Sequence, residues 1–169
     1  MNYTSAQANK LLKKLNDEYT ALLDKETRSR DFRAAMGEDV ESVRPVYDYA
    51  ETQTRLAALE TKIRKLKHAI NIFNATQTVD SFDMTIDELL VYIPQLTKRK
   101  SKLLEMKSRL PKERVEEQYG RQSNIIDYTY ANYDIAAVEA DYEKAADELS
   151  RAQLALDAVN QRETFEWEA

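Results

Sequence analysis

Residues 49–73 read YAETQTRLAALETKIRKLKHAINIF. Tyr49, Thr52, Leu56, Leu59, Ile63, Leu66, Ile70 and Phe73 follow one another in alternating steps of three and four. In a helix that spacing sets one such residue per turn along a single face, and sustained over this length it is a heptad seam. It predicts a helix over 45–74, on the order of 40 Å long at about 1.5 Å per residue. A seam of that length needs a facing surface, and an antiparallel bundle supplies one within the chain.

A second unbroken seam lies near the end of the sequence. Ile135, Val138, Tyr142, Ala145, Leu149, Ala152, Leu156 and Val159 keep the same spacing and predict a helix over 135–161, with Asp134 as its cap. Between the start and the first seam, Ala8, Leu11, Leu12, Leu15, Tyr19, Leu22 and Leu23 predict a helix over 6–35, capped by Thr4 or Ser5. Its stripe fades after Leu23. Gly37 is placed to close that helix in the left-handed conformation, and Pro45 suits the first turn of the next. Thr85 and Glu88 have the spacing of a capping box and open a helix over 86–110. Pro94 inside it predicts a kink or a local break, and Pro111 ends it. The apolar-aromatic run at 125–130 and the alternating tail at 164–168 predict a small β ribbon made from the two. The fold class expected is all-α: one domain over 1–169, an antiparallel bundle of about four long helices with coiled-coil-like packing.

Composition agrees. Of 169 residues, only 2 are Gly and 3 are Pro, which leaves few tight turns for a sandwich or a barrel. There is no Cys, so disulfides, thiolate chemistry and Cys-based zinc sites are excluded. No stretch approaches the roughly 18 apolar residues of a membrane-crossing helix. Met1 to Ser5 show no basic segment followed by an apolar run, so no export signal is expected and the expected compartment is the cytoplasm.

Net charge is −5, which argues against general nucleic-acid binding. The charge is uneven. Residues 97–114 carry eight basic residues, Lys98, Arg99, Lys100, Lys102, Lys107, Arg109, Lys112 and Arg114, against two acidic. Residues 134–169 carry ten acidic against three basic. The two blocks are expected to lie near one another, within or between subunits. An anionic partner for the basic block is the alternative.

Catalytic motifs are missing. The one histidine, His68, stands beside the seam between Lys67 and Ala69, with no second His to complete a metal site. Two glycines cannot build a phosphate-binding loop. Helical pairs such as Glu139 and Glu143 read as a solvated face, since a carboxylate di-metal bundle would want Glu-x-x-His motifs on two helices. No cofactor and no metal are expected, and the chain reads as non-enzymatic. Ten tyrosines stand out, with Tyr119, Tyr128, Tyr130, Tyr133 and Tyr142 in the last third. Tyrosine suits places where one end is buried and the other wet, either internal packing or an interface. Asn71 and Asn74 fall near the end of the first seam, where asparagine closes a helix or bonds the loop that follows.

The stretch Ile70-Asn71-Ile72-Phe73-Asn74-Ala75-Thr76, followed by Met84-Thr85-Ile86-Asp87-Glu88-Leu89, resembles the septicolysin-like family of small helical bacterial proteins of unknown function. In that family a helix ends on an I-N-x-x-N type motif, a polar loop follows, and a T-L/I-x-E/D type start opens the next helix. Tyr133-Asp134-Ile135, opening a seam that runs to Asn160, is similar too. The resemblance implies the same order of helices and carries no catalytic residues. Its label hints at membrane association, against which the missing export signal and inserting segment both argue. The functional expectation is a structural or protein-interaction bundle that forms a homo-oligomer. Lys98, Arg99, Lys100, Lys102, Tyr128, Tyr130 and Tyr133 are its candidate surface. Polyanion or nucleic-acid binding through 97–114, or membrane association, is the alternative.

Overall fold

A computed structural model describes residues 1–115 and 126–168. Tyr119, Gly120 and Ile125 therefore lie outside the described residues. In chain order the elements are β1 (Asn2–Thr4), α1 (Ser5–Ser29), α2 (Val40–Val43), α3 (Tyr49–Thr76), β2 (Thr78–Val79), β3 (Met84–Thr85), α4 (Ile86–Lys107), β4 (Lys112–Arg114), β5 (Tyr128–Tyr130), α5 (Ile135–Arg162) and β6 (Thr164–Glu166). The fold is mainly all-α, and its strands form only short antiparallel pairs. The chain groups into two compact units, Met1–Gln77 with Ala158–Ala169, and Thr78–Asp157.

In the first unit α1 and α3 form an antiparallel hairpin. Thr4 caps α1 in a complete capping box: its hydroxyl accepts from the Gln7 N–H, and the Gln7 amide oxygen accepts from the Thr4 N–H. The Tyr19 hydroxyl donates to Glu60 and the Gln53 amide donates to Glu26, so residue numbers run in opposite directions along the pair. Buried Ala8 and Leu15 of α1 meet buried Leu66 and Ile70 of α3. The β1–β6 ribbon closes this core. Tyr3, Phe165 and Trp167 pack on the cluster, with the Tyr3 and Trp167 rings edge to face at 6.0 Å and Phe165 5.0 Å from Phe73.

The second unit repeats the helix-hairpin theme. α4 opens on the Thr85–Glu88 capping box. α5 opens with the Asp134 carboxylate accepting from the Ala136 N–H at 2.9 Å. Leu103 of α4 packs with Val138 and Ala145 of α5, and Met106, Tyr133 and Tyr142 surround them. The β2–β3 hairpin lies just ahead of α4. Asp83, at φ +50°, makes its tight turn, which aspartate tolerates better than most residues. Val79 of the hairpin is buried.

Several boundaries differ from the sequence reading. Helix α1 ends at Ser29, because Arg28 to Asp31 offer no apolar anchor to offset the cost of ordering more turns. Gly37, at φ +89°, therefore turns a loop instead of closing a helix. Pro45 does not begin α3. The residue ahead of it, Arg44, is held extended, as residues before proline are, and the cap falls on Asp48, which accepts from the Glu51 N–H. Helix α4 ends at Lys107, ahead of Leu110, and Lys112–Arg114 join a strand. Pro94 causes no break. It stands on an exposed side of α4 beside exposed Leu90, whose carbonyl it deprives of a donor and which water can serve instead.

The ribbon was expected to join 125–130 with 164–168. Both stretches supply strands, but to different partners. β6 pairs with β1, Tyr3 opposite Phe165, and β5 pairs with β4, Glu113 opposite Thr129. β6 needs a neighbour that sends a third aromatic onto the core, which Tyr3 does. β5 takes the strand nearest to it in sequence.

Candidate interaction surfaces

The tyrosines divide into those that tie elements together and those left outside. Tyr19 binds Glu60 at 2.9 Å, Tyr47 binds Glu26 at 2.7 Å, and Tyr92 of α4 binds Glu148 of α5. In each the phenol O–H donates to the carboxylate, which favours the neutral phenol and so raises the tyrosine pKa; that of Tyr47 is pushed up to about 12. Tyr133, expected on the surface, is half-buried and donates to the Met106 carbonyl at 2.9 Å. Tyr142 carries the Lys107 ammonium 4.0 Å from its ring centre. Tyr49, Tyr128 and Tyr130 remain exposed.

Tyr128 and Tyr130 lie on β5. In its ladder, Val115 donates to the Asp127 carbonyl and Ala131 to the Pro111 carbonyl. Pairing alternates along an antiparallel ladder, so Glu113 and Thr129 form the hydrogen-bonded pair, and Lys112–Tyr130 and Arg114–Tyr128 are the close pairs without ladder bonds. Residues opposite one another share a face. One face of the ribbon thus holds Lys112, Arg114, Tyr128 and Tyr130. The other holds Glu113, Thr129 and Asp127. Acid and base are segregated, and the Lys112 ammonium leans across to β5, 4.0 Å from the Tyr128 ring centre and 5.5 Å from that of Tyr130. On the opposite face Glu113 is 3.9 Å from Arg109.

Among the described residues, the ion pairs between the basic and acidic blocks fall on one lysine. Lys107 of α4 reaches Glu139 at 4.0 Å and Glu143 at 3.5 Å on α5. Arg109 stays local, with Glu105 and Glu113. Lys100 is half-buried, 5.9 Å from the Tyr142 ring centre. Lys98, Arg99 and Lys102 are exposed and form no ion pair among the described residues. An apolar flank runs beside them: Leu90 and Leu104, two heptads apart on α4, are 44% and 47% exposed.

The remaining sites expected from the sequence take structural places. Thr85 and Glu88 cap α4, and the Thr85 N–H and hydroxyl both donate to the Glu88 carboxylate and lower its pKa. Asp134 caps α5. Asn71 is exposed one turn before the end of α3. Asn74 and Asn160 are half-buried near the ends of α3 and α5, and each has a buried amide oxygen with no hydrogen-bond partner among the described residues. Neither residue type nor spacing announces that shared feature.

His68 is exposed. An open groove of about 490 Å³ between α1 and α3 contains Glu18, Lys25, Arg55 and Lys62 as its only titratable residues, with no nucleophile beside a base. Among the described residues no cluster of His, Asp or Glu could hold a metal ion, and no helix is long and apolar enough to cross a membrane.

No family model matches the chain, and no curated protein matches it. Among solved structures it is similar to a functionally unknown conserved protein from Corynebacterium diphtheriae. The two are 17% identical with a TM-score of 0.63, over 98% of this chain and 100% of that one. At that identity the likeness speaks for the fold alone.

Proposed function

We propose that this protein is a non-enzymatic interaction bundle that works in the cytoplasm and self-associates. The observation behind this reading is the apolar flank of α4. Leu90 and Leu104 stand in water on a flank of the helix, about 100° round from the face that buries Leu89, Leu96 and Leu103. Exposed large side chains at heptad spacing are what a partner helix covers. Light scattering after size exclusion at micromolar concentration tests it. The wild type is expected to run as an oligomer, and Leu104→Glu to shift it toward the monomer with the helical content kept. A wild type that is monomeric at every concentration removes the reading.

A second reading has its own observation. Lys98 and Lys102, one turn apart and without an ion pair among the described residues, offer cations to a polyanion, with Arg99 beside them. Gel shift at low salt would then show binding that Lys98→Glu with Lys102→Glu abolishes. Absence of binding at about 50 mM salt, where phosphate contacts are strong, removes it. The resemblance at 70–76 and 84–89 makes membership of the septicolysin-like group part of the proposal.

A further inference from the structure

Among the described residues both edges of the two-stranded β4–β5 ribbon are unpaired, and the β5 edge is the one whose strand carries no charged side chain. Tyr128 and Tyr130 belong to the pairs without ladder bonds, so their backbone N–H and C=O groups point away from β4. Among the described residues nothing bonds them. Proteins usually blunt such an edge with charge, and here the charged side chains, Lys112 and Arg114, stand on β4. The β5 edge carries two tyrosines and a threonine, and a two-stranded ribbon with all six residues exposed gains from a third strand.

We propose that this edge takes up an extended acidic segment of a partner protein as a third strand, with acidic side chains at alternate positions on the Tyr128–Tyr130 face. Backbone bonds to Tyr128 and Tyr130 supply the attachment, and charge supplies the selection. Lys112 already reaches across to β5, and Arg114, opposite Tyr128, has no ion pair among the described residues. Carboxylates on the new strand would meet both cations. Glu113 and Asp127 face the other way and do not oppose them.

The same face argues against two other occupants. A second copy pairing β5 to β5 would add two more cations to that face and offer them no carboxylate. A nucleic-acid base would have to displace the Lys112 ammonium from the Tyr128 ring before stacking on that side. The edge is thus a different surface from the α4 flank, and its occupancy is independent of self-association.

The test is fluorescence anisotropy with a labelled seven-residue peptide of alternating Glu and Thr, titrated with the full chain. Saturable binding is expected, at least tenfold weaker for a peptide of alternating Lys and Thr, and at least tenfold weaker for the variant Lys112→Glu with Arg114→Glu. N-methylation of alternate peptide bonds in the acidic peptide, on the side facing β5, is expected to abolish binding without touching the protein. Circular dichroism of the variant confirms that its helices are kept. Any one of four results overturns the proposal: no binding of the acidic peptide, equal binding of the basic one, indifference to N-methylation, or tighter binding of a twelve-residue oligothymidylate than of the peptide.

Discussion

The two three-residue ribbons, β1–β6 and β4–β5, share length, antiparallel sense and a pair of aromatic strand residues, yet only one is built into a core. On the first, Tyr3, Phe165 and Trp167 all turn to one side and pack on Ala8, Leu15, Leu66 and Ile70. On the second, Tyr128 and Tyr130 turn to one side as well, but cations share it and every strand residue is exposed. A strand pair this short owes its stability to what lies behind it. The first ribbon is therefore part of the fold, and the second is a surface that the fold presents.

The largest expected effect comes from removing the aromatic anchor of the first. Trp167→Ala should destabilise the protein by about 3–5 kcal/mol, the usual cost of emptying a buried aromatic site. The matching change on the second ribbon, Tyr130→Ala, should cost less than about 0.5 kcal/mol, as exposed substitutions do. Urea unfolding followed by circular dichroism measures both. Equal losses would erase the distinction.

The third ribbon, β2–β3, is intermediate, since Thr85 ends its second strand and also caps α4. Thr85→Ala should cost about 1 kcal/mol, the usual value of a cap. The same unfolding experiment reads it, and a loss near that of Trp167→Ala would mean that the hairpin is a core element in its own right.

Much of this was legible in the sequence and some was not. The seam from Tyr49 to Phe73 located α3, and the Thr85–Glu88 spacing located the start of α4, because both are local patterns with one helical solution. The seam misled at its first position: Tyr49 is exposed although it keeps the spacing, since periodicity says which face a residue is on and not whether anything covers it. Strand identity at 128–130 and 164–166 was legible, but strand partners were not. Pairing depends on which faces meet the core, and β1, at Asn2–Thr4, has too little alternation to announce itself. Of the candidate surface tyrosines, Tyr128 and Tyr130 are exposed, whereas Tyr133 is taken up by the Met106 carbonyl. Composition cannot separate a tyrosine that ties from one that is offered.

That division of the tyrosines yields the smallest expected effect. Glu26 holds the Tyr47 pKa up, at about 12 against an ordinary value near 10. A raised pKa in the folded state stabilises below the unfolded value and is lost as pH rises through the folded one. Tyr47→Phe should therefore be slightly less stable than wild type below about pH 10, and the gap should close between about pH 10 and pH 12. Denaturation midpoints across that range measure it, and a gap independent of pH would mean that the phenol bond to Glu26 contributes nothing.

Hydrogen exchange resolved to single amides tests the contrast between the ribbons most directly. The Tyr3, Phe165 and Trp167 amides, in hydrogen-bonded positions of a ribbon seated on the core, should exchange only when the first unit unfolds. Those of Glu113 and Thr129, hydrogen-bonded within an exposed ribbon, should exchange through local opening and much faster. Equal protection of the two sets would contradict the view that β4–β5 is a presented surface and not part of the core.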